Sequence, residues 1–295
     1  MSALTADETA FMTADKPVLI ASNALDTTVS AKWLTGDNMS GTDATAANHP
    51  IKRAYDGHMH LVTKPNAAAT SWYLAFDLGA DVADFDMLML GGHNFGEHYA
   101  ATGHKVEFWA ETGTDSTFAS TSELHPVEGG IDVTDSKRAV FFMGERHTGK
   151  RYVRIGFDSS TAIAPEIGEL WLGRRRHLPY KFDRLLDDKR TGSELVAFES
   201  RSGIRTNYTL SRGQSRRTGS MLLDQASDVA TVEAFWAESA QGTKPFLYCE
   251  NPNTAPNTTQ VMNQDPELDL ALVGPRTRSF GLNMREAAPF VALES

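Results

Sequence analysis

Large apolar side chains alternate with other residues along several strand-length segments in the first 175 residues. In segment 73–78 every second residue is Leu or Phe, and segment 105–110 repeats the same period. A period of two predicts β-strands with one apolar face turned inward. Further strand candidates are 18–20, 85–90, 139–143, 151–157 and 165–173. Many strands separated by turn residues, without a helical stretch, predict a β-sandwich of the jelly-roll kind.

The pattern changes beyond residue 177. Segments 193–200 and 204–210 predict two strands around a hairpin turn at 201–203. Apolar side chains then recur at helical spacing, at Val229, Val232, Phe235 and Trp236. They predict one amphipathic helix over 228–240, with Ser227 or Asp228 as its N-cap. Segments 244–249, 268–273 and 278–285 predict three more strands. The protein should therefore be mainly β, with an N-terminal β-sandwich jelly roll and a C-terminal α+β sandwich that carries one flanking helix.

These patterns divide the chain into four parts. Residues 1–16 form a polar N-terminal arm, 17–173 a jelly-roll domain, 174–180 a linker and 181–295 the α+β domain. All nine histidines lie at or before His177, so the two halves differ in chemistry as well as in pattern. Two domains suit a chain of 295 residues.

The chain is acidic, with a formal net charge of -10 at pH 7. This charge argues against a nucleic-acid partner, because phosphate binding needs a basic face. Cys249 is the sole cysteine, so an intrachain disulfide is excluded and synthesis in a reducing cytoplasm is favoured. Residues 1–16 lack a basic region followed by an apolar run, and no segment approaches the roughly 20 apolar residues that span a bilayer. We therefore expect neither a secretory signal nor membrane insertion.

Two family resemblances follow from particular segments. In their order along the chain, segments 71–79, 105–111, 151–157 and 165–173 resemble the discoidin-like, or galactose-binding-like, jelly roll. The interposed segment 91–94, Gly-Gly-His-Asn, resembles bacteriophage tail proteins. In the second half, the paired strands, the single helix and the Gly-x-x-Pro-Phe-Leu segment 242–247 are similar to phage tail-tip and distal-tail modules.

The resemblance implies a structural protein of a phage tail tip or baseplate, assembled in the host cytoplasm and located in the virion tail. Its C-terminal domain would form a homo-oligomeric ring with other tail and baseplate proteins. Its N-terminal jelly roll would be exposed and would bind host-surface carbohydrate. The alternative is a cellular or secreted carbohydrate-binding module without catalytic activity.

The discoidin-like resemblance also implies a ligand site on loops at one end of the sandwich. Aromatic rings for stacking and side chains that hydrogen-bond hydroxyl groups would form it. The candidate carbohydrate-binding residues are Trp33, Asp37, Asn38, Asp56, His58 and Tyr99. For Trp33 the alternative is a buried residue at the mouth of the sandwich, because tryptophan is highly buried on average.

Two further groups have a structural and a functional interpretation. His93 and Asn94 are predicted to close a tight turn through side-chain to backbone hydrogen bonds, and the alternative is ligand contact at a loop rim. Five arginines form the basic spots of this acidic chain. They are interpreted as an interface for an acidic neighbouring protein, and the alternative is that they are solvated residues of the linker and a loop. They are Arg174, Arg175, Arg176, Arg216 and Arg217.

The remaining chemistry argues against an enzyme and against a metal site. The chain has no Gly-x-Ser-x-Gly motif and no phosphate-binding loop, and Cys249 lies in an apolar strand candidate. The histidines at 58, 60, 93, 98 and 104 are interpreted as loop and surface residues, since such spacing is common by chance. No cofactor is expected. A structural calcium ion remains an alternative to a solvated turn for the acidic group Asp77, Asp81, Asp84 and Asp86.

Overall fold

The computed structural model describes the chain in segments. These are residues 16–25, 32–34, 53–54, 61–79, 84–124, 131–135, 138–179, 187–190, 194–199, 205–211, 215–223, 225–241, 244–264, 269–272 and 278–286. The chain divides into two compact units. The N-terminal unit comprises Ser22–Arg175 and Asn253–Asn257, and the C-terminal unit comprises Met1–Ala21, Arg176–Pro252 and Thr258–Ser295.

The N-terminal unit is a β-sandwich of antiparallel strands. Its strands are β2 (Lys32–Leu34), β3 (Ala69–Asp77), β4 (Phe85–Gly91), β5 (Val106–Gly113), β6 (Thr121–Glu123), β7 (Ile131–Val133), β8 (Ala139–His147), β9 (Tyr152–Ile163) and β10 (Glu169–Gly173). The smaller sheet has the order β10-β4-β8, and the larger has the order β2-β3-β9-β5-β6, with β7 also paired to β5. The predicted sandwich is confirmed.

Apolar side chains from both sheets form the core of this unit. On β5, buried and half-buried residues alternate strictly, as the period-two pattern predicted. The buried rings of Phe108 and Phe157 stack with centroids 5.2 Å apart, and Phe95 meets Phe157 edge-on at 5.3 Å. Burial of each such ring stabilises the fold by about 1.5–3 kcal/mol relative to exposure. The inner face of the larger sheet is thus occupied by packing, which leaves its outer face for other roles.

The N-terminal unit also contains a helix that the sequence analysis did not predict. Helix α1 (Phe95–Thr102) follows β4 and buries Phe95. It ends at Gly103, whose φ of 74° lies in the left-handed region and whose N–H donates to the Tyr99 carbonyl at 2.8 Å. With one buried apolar residue in eight, α1 has no apolar periodicity that a sequence pattern could detect.

The C-terminal unit combines one large antiparallel sheet with a helix. Its strands are β1 (Val18–Ile20), β11 (Arg176–His177), β12 (Asp187–Arg190), β13 (Glu194–Glu199), β14 (Arg205–Ser211), β15 (Ser215–Leu223), β16 (Phe246–Cys249), β17 (Gln260–Gln264), β18 (Asp269–Leu272) and β19 (Arg278–Glu286). The large sheet has the order β11-β1-β16-β17-β19-β15-β12, with β18 also paired to β19, and β13 and β14 form a separate hairpin. A short 3-10 helix spans Pro256–Thr258, and its first two residues belong to the N-terminal unit.

Helix α2 (Ala226–Glu238) confirms the predicted amphipathic helix but begins two residues earlier. Its N-cap is Gln225, without a side-chain cap hydrogen bond, so the predicted caps Ser227 and Asp228 lie inside the first turn. There Asp228 is placed to interact favourably with the positive end of the helix dipole. Val232 and Phe235 are buried, and Phe235 meets Phe246 of β16 edge-on at 5.0 Å.

Strand β1 differs from its predicted place. The sequence analysis assigned Val18–Ile20 to the jelly roll, but β1 pairs with β16 on one side and with β11 on the other. Arg176–His177, predicted as linker, is itself a strand in this sheet. The apolar pattern of 18–20 identified a strand correctly, but a strand pattern does not specify its pairing partner.

Candidate binding face

The outer face of the larger sheet brings aromatic and charged side chains together on β3, β9 and β5. In the strand register, Gly156 of β9 lies between Tyr73 of β3 and Trp109 of β5. In the next row of the same face, Arg154 lies opposite Glu111. These side chains are half-buried, while the residues between them on each strand are turned into the core.

Trp109 lies across its neighbouring strand. A Cβ atom at Gly156 would stand 1.9 Å from Cζ2 of the indole, far inside contact distance. The ring therefore occupies the volume directly above Gly156, and no larger residue fits there. The indole Nε1 donates to Oδ2 of Asp158 at 2.5 Å, which fixes the ring along β9. An indole held this way is fixed in position on the outer face.

Arg154 is enclosed by aromatic rings. Its guanidinium carbon lies 4.7 Å from the centroid of Tyr73, 5.0 Å from that of Phe118 and 5.5 Å from that of Trp109. Each distance is within the range of a cation–π interaction. Glu111 accepts hydrogen bonds from the same guanidinium, and the two side chains are 22% and 13% exposed. The ion pair and the rings fix one another in position.

A loop covers one end of this face. Phe118, in the connection between β5 and β6, has a φ of 54°, and its ring stands where a Cβ on Gly113 would be, at 2.7 Å. Asp115 holds the loop, because its Oδ1 accepts from the backbone N–H of Thr117 at 2.8 Å and from the Thr117 hydroxyl at 2.5 Å. These hydrogen bonds lower the pKa of Asp115 below its ordinary value.

The strand ends nearby carry further ion pairs. Arg151 donates two hydrogen bonds to Asp77, at 2.7 and 2.9 Å. The hydrogen bonds to Asp77 raise the pKa of Arg151. Lys105, just before β5, donates to Asp132 at 2.6 Å, and this interaction raises the pKa of Lys105.

Helix α1 is attached to the far end of β9. His98 Nε2 lies 3.3 Å from the Ser159 hydroxyl, and His104 Nδ1 lies 2.8 Å from the Ser160 hydroxyl. Tyr99, predicted as a carbohydrate contact, is 38% exposed on this helix. The structure thus places Tyr99 on a surface element of the N-terminal unit, on the helix next to the end of β9.

For the other five predicted carbohydrate contacts, no side chain is described. Asp37, Asn38, Asp56 and His58 lie outside the described residues. For Trp33 the backbone is described, and it pairs with Phe76 through β2. The predicted site therefore remains a prediction, and Tyr99 is its one member whose side chain is described.

His93 and Asn94 lie directly before α1. The His93 side chain is 5% exposed, and Phe95 N–H points to His93 Nδ1 at 3.4 Å. Asn94 donates to the Ala164 carbonyl at 3.2 Å and accepts from the Glu166 N–H at 3.0 Å. These bonds attach the start of α1 to the segment before β10.

Three of the five arginines predicted as an interface, Arg174, Arg175 and Arg176, have partners within the chain. Arg175 contacts Asp86 through its backbone N–H at 2.6 Å, and Asp86 also accepts from Arg146 at 3.2 Å. Arg174 lies 3.7 Å from Asp84, and Arg176 donates to Glu238 at 2.7 Å. Arg216 and Arg217 are residues of β15, paired with β12 and β19. An interface role for these residues stays a prediction.

The acidic group that was the alternative calcium site is described only in part. Asp77, Asp84 and Asp86 each pair with an arginine, and Asp81 lies outside the described residues, so a calcium ion there stays an untested alternative. Within the segments described, no three His, Cys, Asp or Glu side chains are grouped as a metal site.

The sequence analysis did not single out the residues that form the aromatic face. Two signals in the pattern could have indicated them. Trp109 occupies the outward position of a period-two strand, which places its ring on the outer face of the sheet. Gly156 interrupts an otherwise regular strand, which often marks a close approach by another group. Neither signal shows, without the strand register, that the two residues are neighbours.

Comparison with known proteins gave matches to solved structures alone. No protein-family model matches the chain, and no curated protein matches it. Chitosan-binding module 1 from a chitosanase/glucanase of Paenibacillus sp. IK-5 is 15% identical, with a TM-score of 0.36, over 51% of this chain and 98% of that one. The module CBM32-1 from a family 31 glycoside hydrolase of Clostridium perfringens is 13% identical, with a TM-score of 0.35, over 49% and 94%.

A Ruminococcus gnavus GH29 fucosidase, solved in complex with fucose, is 15% identical, with a TM-score of 0.37, over 52% of this chain and 26% of that one. The chain thus spans about a quarter of the length of this fucosidase. The resemblance to phage tail proteins stays a prediction. Of the two α-helices in the described segments, neither is long and apolar enough to cross a bilayer.

Proposed function

We propose that the N-terminal unit is a non-catalytic carbohydrate-binding module, and that its ligand lies on the outer face of β3, β9 and β5. The observation that carries the proposal is the placement of Trp109. Its ring is held flat over Gly156 and is anchored through Nε1 to Asp158. A fixed aromatic plane on a sheet surface suits a flat ligand that stacks on it.

Sugar rings match such a plane chemically. One face of a pyranose exposes C–H groups, which pack against an aromatic ring, and its edge carries hydroxyl groups that need hydrogen-bond partners. Tyr73 and Trp109 supply rings, while Glu111, Arg154 and Asp158 supply polar atoms beside them. Binding sites of this kind combine aromatic surface with a few fixed polar groups.

The polar groups on this face support binding rather than chemistry. Glu111 is held by Arg154, and Asp158 accepts the indole N–H of Trp109. Each carboxylate thereby positions a neighbouring side chain. A face of pre-positioned groups loses little conformational freedom when a ligand arrives, which favours affinity.

Binding of the full chain to immobilised polysaccharides and to a glycan array tests the proposal. The variants are Trp109→Ala and, as a matched aromatic control, Tyr99→Ala on helix α1. We expect wild type and Tyr99→Ala to bind the same glycans. We expect Trp109→Ala to lose at least about tenfold in affinity, because stacking of a nucleobase on one aromatic side chain, a comparable contact, is worth about 1–3 kcal/mol.

Loss of binding in Tyr99→Ala alone would contradict a ligand site at Trp109. If Tyr99→Ala removed binding while Trp109→Ala retained it, the face described above would be excluded as the ligand site. Wild type that bound no glycan would contradict a carbohydrate-binding function altogether. Thermal unfolding of each variant separates lost binding from lost folding.

The second candidate is a structural role in a phage tail tip or baseplate, as a ring component that contacts other tail proteins. It is favoured by the order of elements in the C-terminal unit, where a β-hairpin, α2 and β16 follow one another as the tail-like resemblance predicts, with the unpredicted β15 between the hairpin and the helix. Immunogold electron microscopy of purified phage particles tests it. Label at the tail tip would support this role, and particles without label would contradict it.

A further inference from the structure

Phe118 has an unusual backbone conformation. Its φ of 54° lies in the left-handed region, which residues with a Cβ atom rarely adopt. Among the described residues of the N-terminal unit, it is the one non-glycine residue with a positive φ. Strain of this kind persists where the surrounding structure enforces it, and it clusters at active sites and ligand clamps. The conformation therefore indicates a functional role for this loop.

The composition of the loop makes the phenylalanine more informative. Segment 114–120 joins β5 to β6, and its other six residues are Thr, Asp, Ser, Thr, Ala and Ser. Those six are exposed, whereas Phe118 is half-buried. Glycine or asparagine would adopt this backbone conformation at little cost. A large ring at the strained position indicates that the ring itself is needed there.

The ring of Phe118 closes one end of the outer face. It stands over Gly113, where an added Cβ atom would lie 2.7 Å from Cδ1 of the ring. The Arg154 guanidinium carbon lies 5.0 Å from the ring centroid, and the same guanidinium is hydrogen-bonded to Glu111. The space at this end is thus filled by the chain itself. Because Trp109 lies in the next row of the face, a ligand on its ring would meet this closed end.

The opposite end of the face is more exposed. Beyond Trp109 the face continues with Glu107 and Asp158, which are half-buried. The two strands then reach Lys105 and Ser160, which are exposed. A ligand that lies on the indole therefore has room to extend in this direction and is blocked in the other.

We propose that Phe118 is a specificity-determining residue, which admits the terminal sugar of a glycan and excludes a sugar that continues at both ends. The inference rests on the proposed carbohydrate-binding function of the same face. The terminal sugar lies on Trp109 with its free end against Phe118, and the rest of the glycan leaves over Asp158. An internal sugar in the same position would place its next residue in the volume of the Phe118 ring. A clash of this kind rejects one ligand without adding affinity for another.

A glycan array probed with the full chain tests this selectivity. Its glycans are tethered at the reducing end and include pairs in which the same sugar is either terminal or extended by a further sugar. We expect wild type to bind the terminal member of a pair at least about tenfold more tightly than the extended member. Phe118→Gly removes the ring and suits the positive φ. We expect this variant to bind both members to within about twofold of one another.

Two further variants control for the change in the loop. Ser120→Gly introduces a glycine into the same exposed loop and leaves the Phe118 ring in place, so it should keep the preference for terminal sugars. Phe118→Asn also removes the ring, and asparagine tolerates a positive φ, so it should lose the preference. Thermal unfolding of each variant separates a change in selectivity from a loss of folding.

The outcomes separate the two proposals. Equal binding of terminal and extended sugars by wild type, or a preference that survives in Phe118→Gly, would overturn the role of Phe118 and leave carbohydrate binding intact. Tighter binding of the extended member by wild type would do the same. An array without any bound glycan, together with no binding to immobilised polysaccharides, would overturn carbohydrate binding itself and the selectivity with it.

Discussion

Trp109 and Gly156 share one volume on the outer face of the larger sheet. The indole fills the space in which a side chain at position 156 would stand, and the missing Cβ of Gly156 is what allows Trp109 to lie across β9. The position of the ring therefore depends on a residue that contributes no side chain of its own.

The variant Gly156→Ala tests this dependence. We expect it to displace the Trp109 ring, to lower the free energy of unfolding by about 1–3 kcal/mol as in other overpacked sites, and to weaken glycan binding. Urea denaturation measures the free energy of unfolding, intrinsic fluorescence the displacement of the ring, and the glycan-binding assay the affinity. In a Trp109→Ala background the same substitution should cost much less, because the clash is gone. Additive costs would show that the ring and the glycine do not interact.

Loss of the Thr117 hydroxyl should change the pKa of Asp115 in the loop between β5 and β6. Thr117→Ala removes a hydrogen bond that lowers the pKa of Asp115. We expect the Asp115 carboxyl to titrate at a higher pH in the variant, closer to its ordinary value, as measured by NMR. Ser116→Ala, in the same exposed loop, is the control and should leave the titration of Asp115 unchanged.

The sign of the effect on stability follows from the direction of this shift. A carboxyl whose pKa is lowered in the folded state contributes stability above its ordinary pKa, and the contribution is lost as the pH falls through the folded value. Wild type and Thr117→Ala should therefore differ in stability at neutral pH and converge in strong acid. A difference that grew on acidification would contradict this account.

Asn23 is expected to be important for the stability of the sandwich. Its side-chain oxygen accepts from the N–H groups of Leu25 and Leu172, at 3.1 and 3.0 Å, and its amide donates to the Leu170 carbonyl at 2.9 Å. Asn23→Ala leaves buried backbone groups without partners, at about 1–3 kcal/mol for each such group. Urea denaturation should show this loss. Asn263→Ala, at an exposed position of β17, is the control and should cost less than about 0.5 kcal/mol.

The C-terminal unit offers an equivalent test in its core. Phe235 is fully buried on α2 and packs edge-on against Phe246. Phe235→Ala should lower the free energy of unfolding by about 3–5 kcal/mol, because it removes apolar surface and leaves a cavity. The fluorescence of Trp236, next along the helix, can report the transition. Glu233→Ala, exposed on the same helix, is the control, and an equal loss there would contradict a specific role for Phe235.

The fold could be predicted from the sequence wherever one side of an element was apolar and the other polar. The strand at Val106–Gly113 and the helix at Ala226–Glu238 were recognised for this reason. Helix α1 was missed because it buries Phe95 alone. Strand β15 was missed because its first half, from Ser215, is polar and contains Gly219. Both elements depend on tertiary contacts rather than on a local pattern.

The candidate site could be predicted much less well, for a physical reason. Tyr73, Trp109 and Arg154 belong to three different strands, and only the register of those strands makes them neighbours. The resemblance to discoidin-like modules instead implied a site on loop residues such as Asn38. Sequence patterns identify which residues face outward, but the pairing of distant strands is decided by the whole fold.

The pairing of β1 with β11 has a consequence for how this protein can be divided. Leu19 lies directly opposite Arg176 in a two-stranded antiparallel ladder. In topological terms Ser22–Arg175, the main part of the N-terminal unit, is an insertion in the connection of that hairpin. Val18–Ile20 must also wait during synthesis until Phe246–Cys249 has left the ribosome before it can complete its sheet. Cutting the chain near residue 177 would remove a sheet strand, whereas excising 22–175 and joining the ends with a short turn would retain β1.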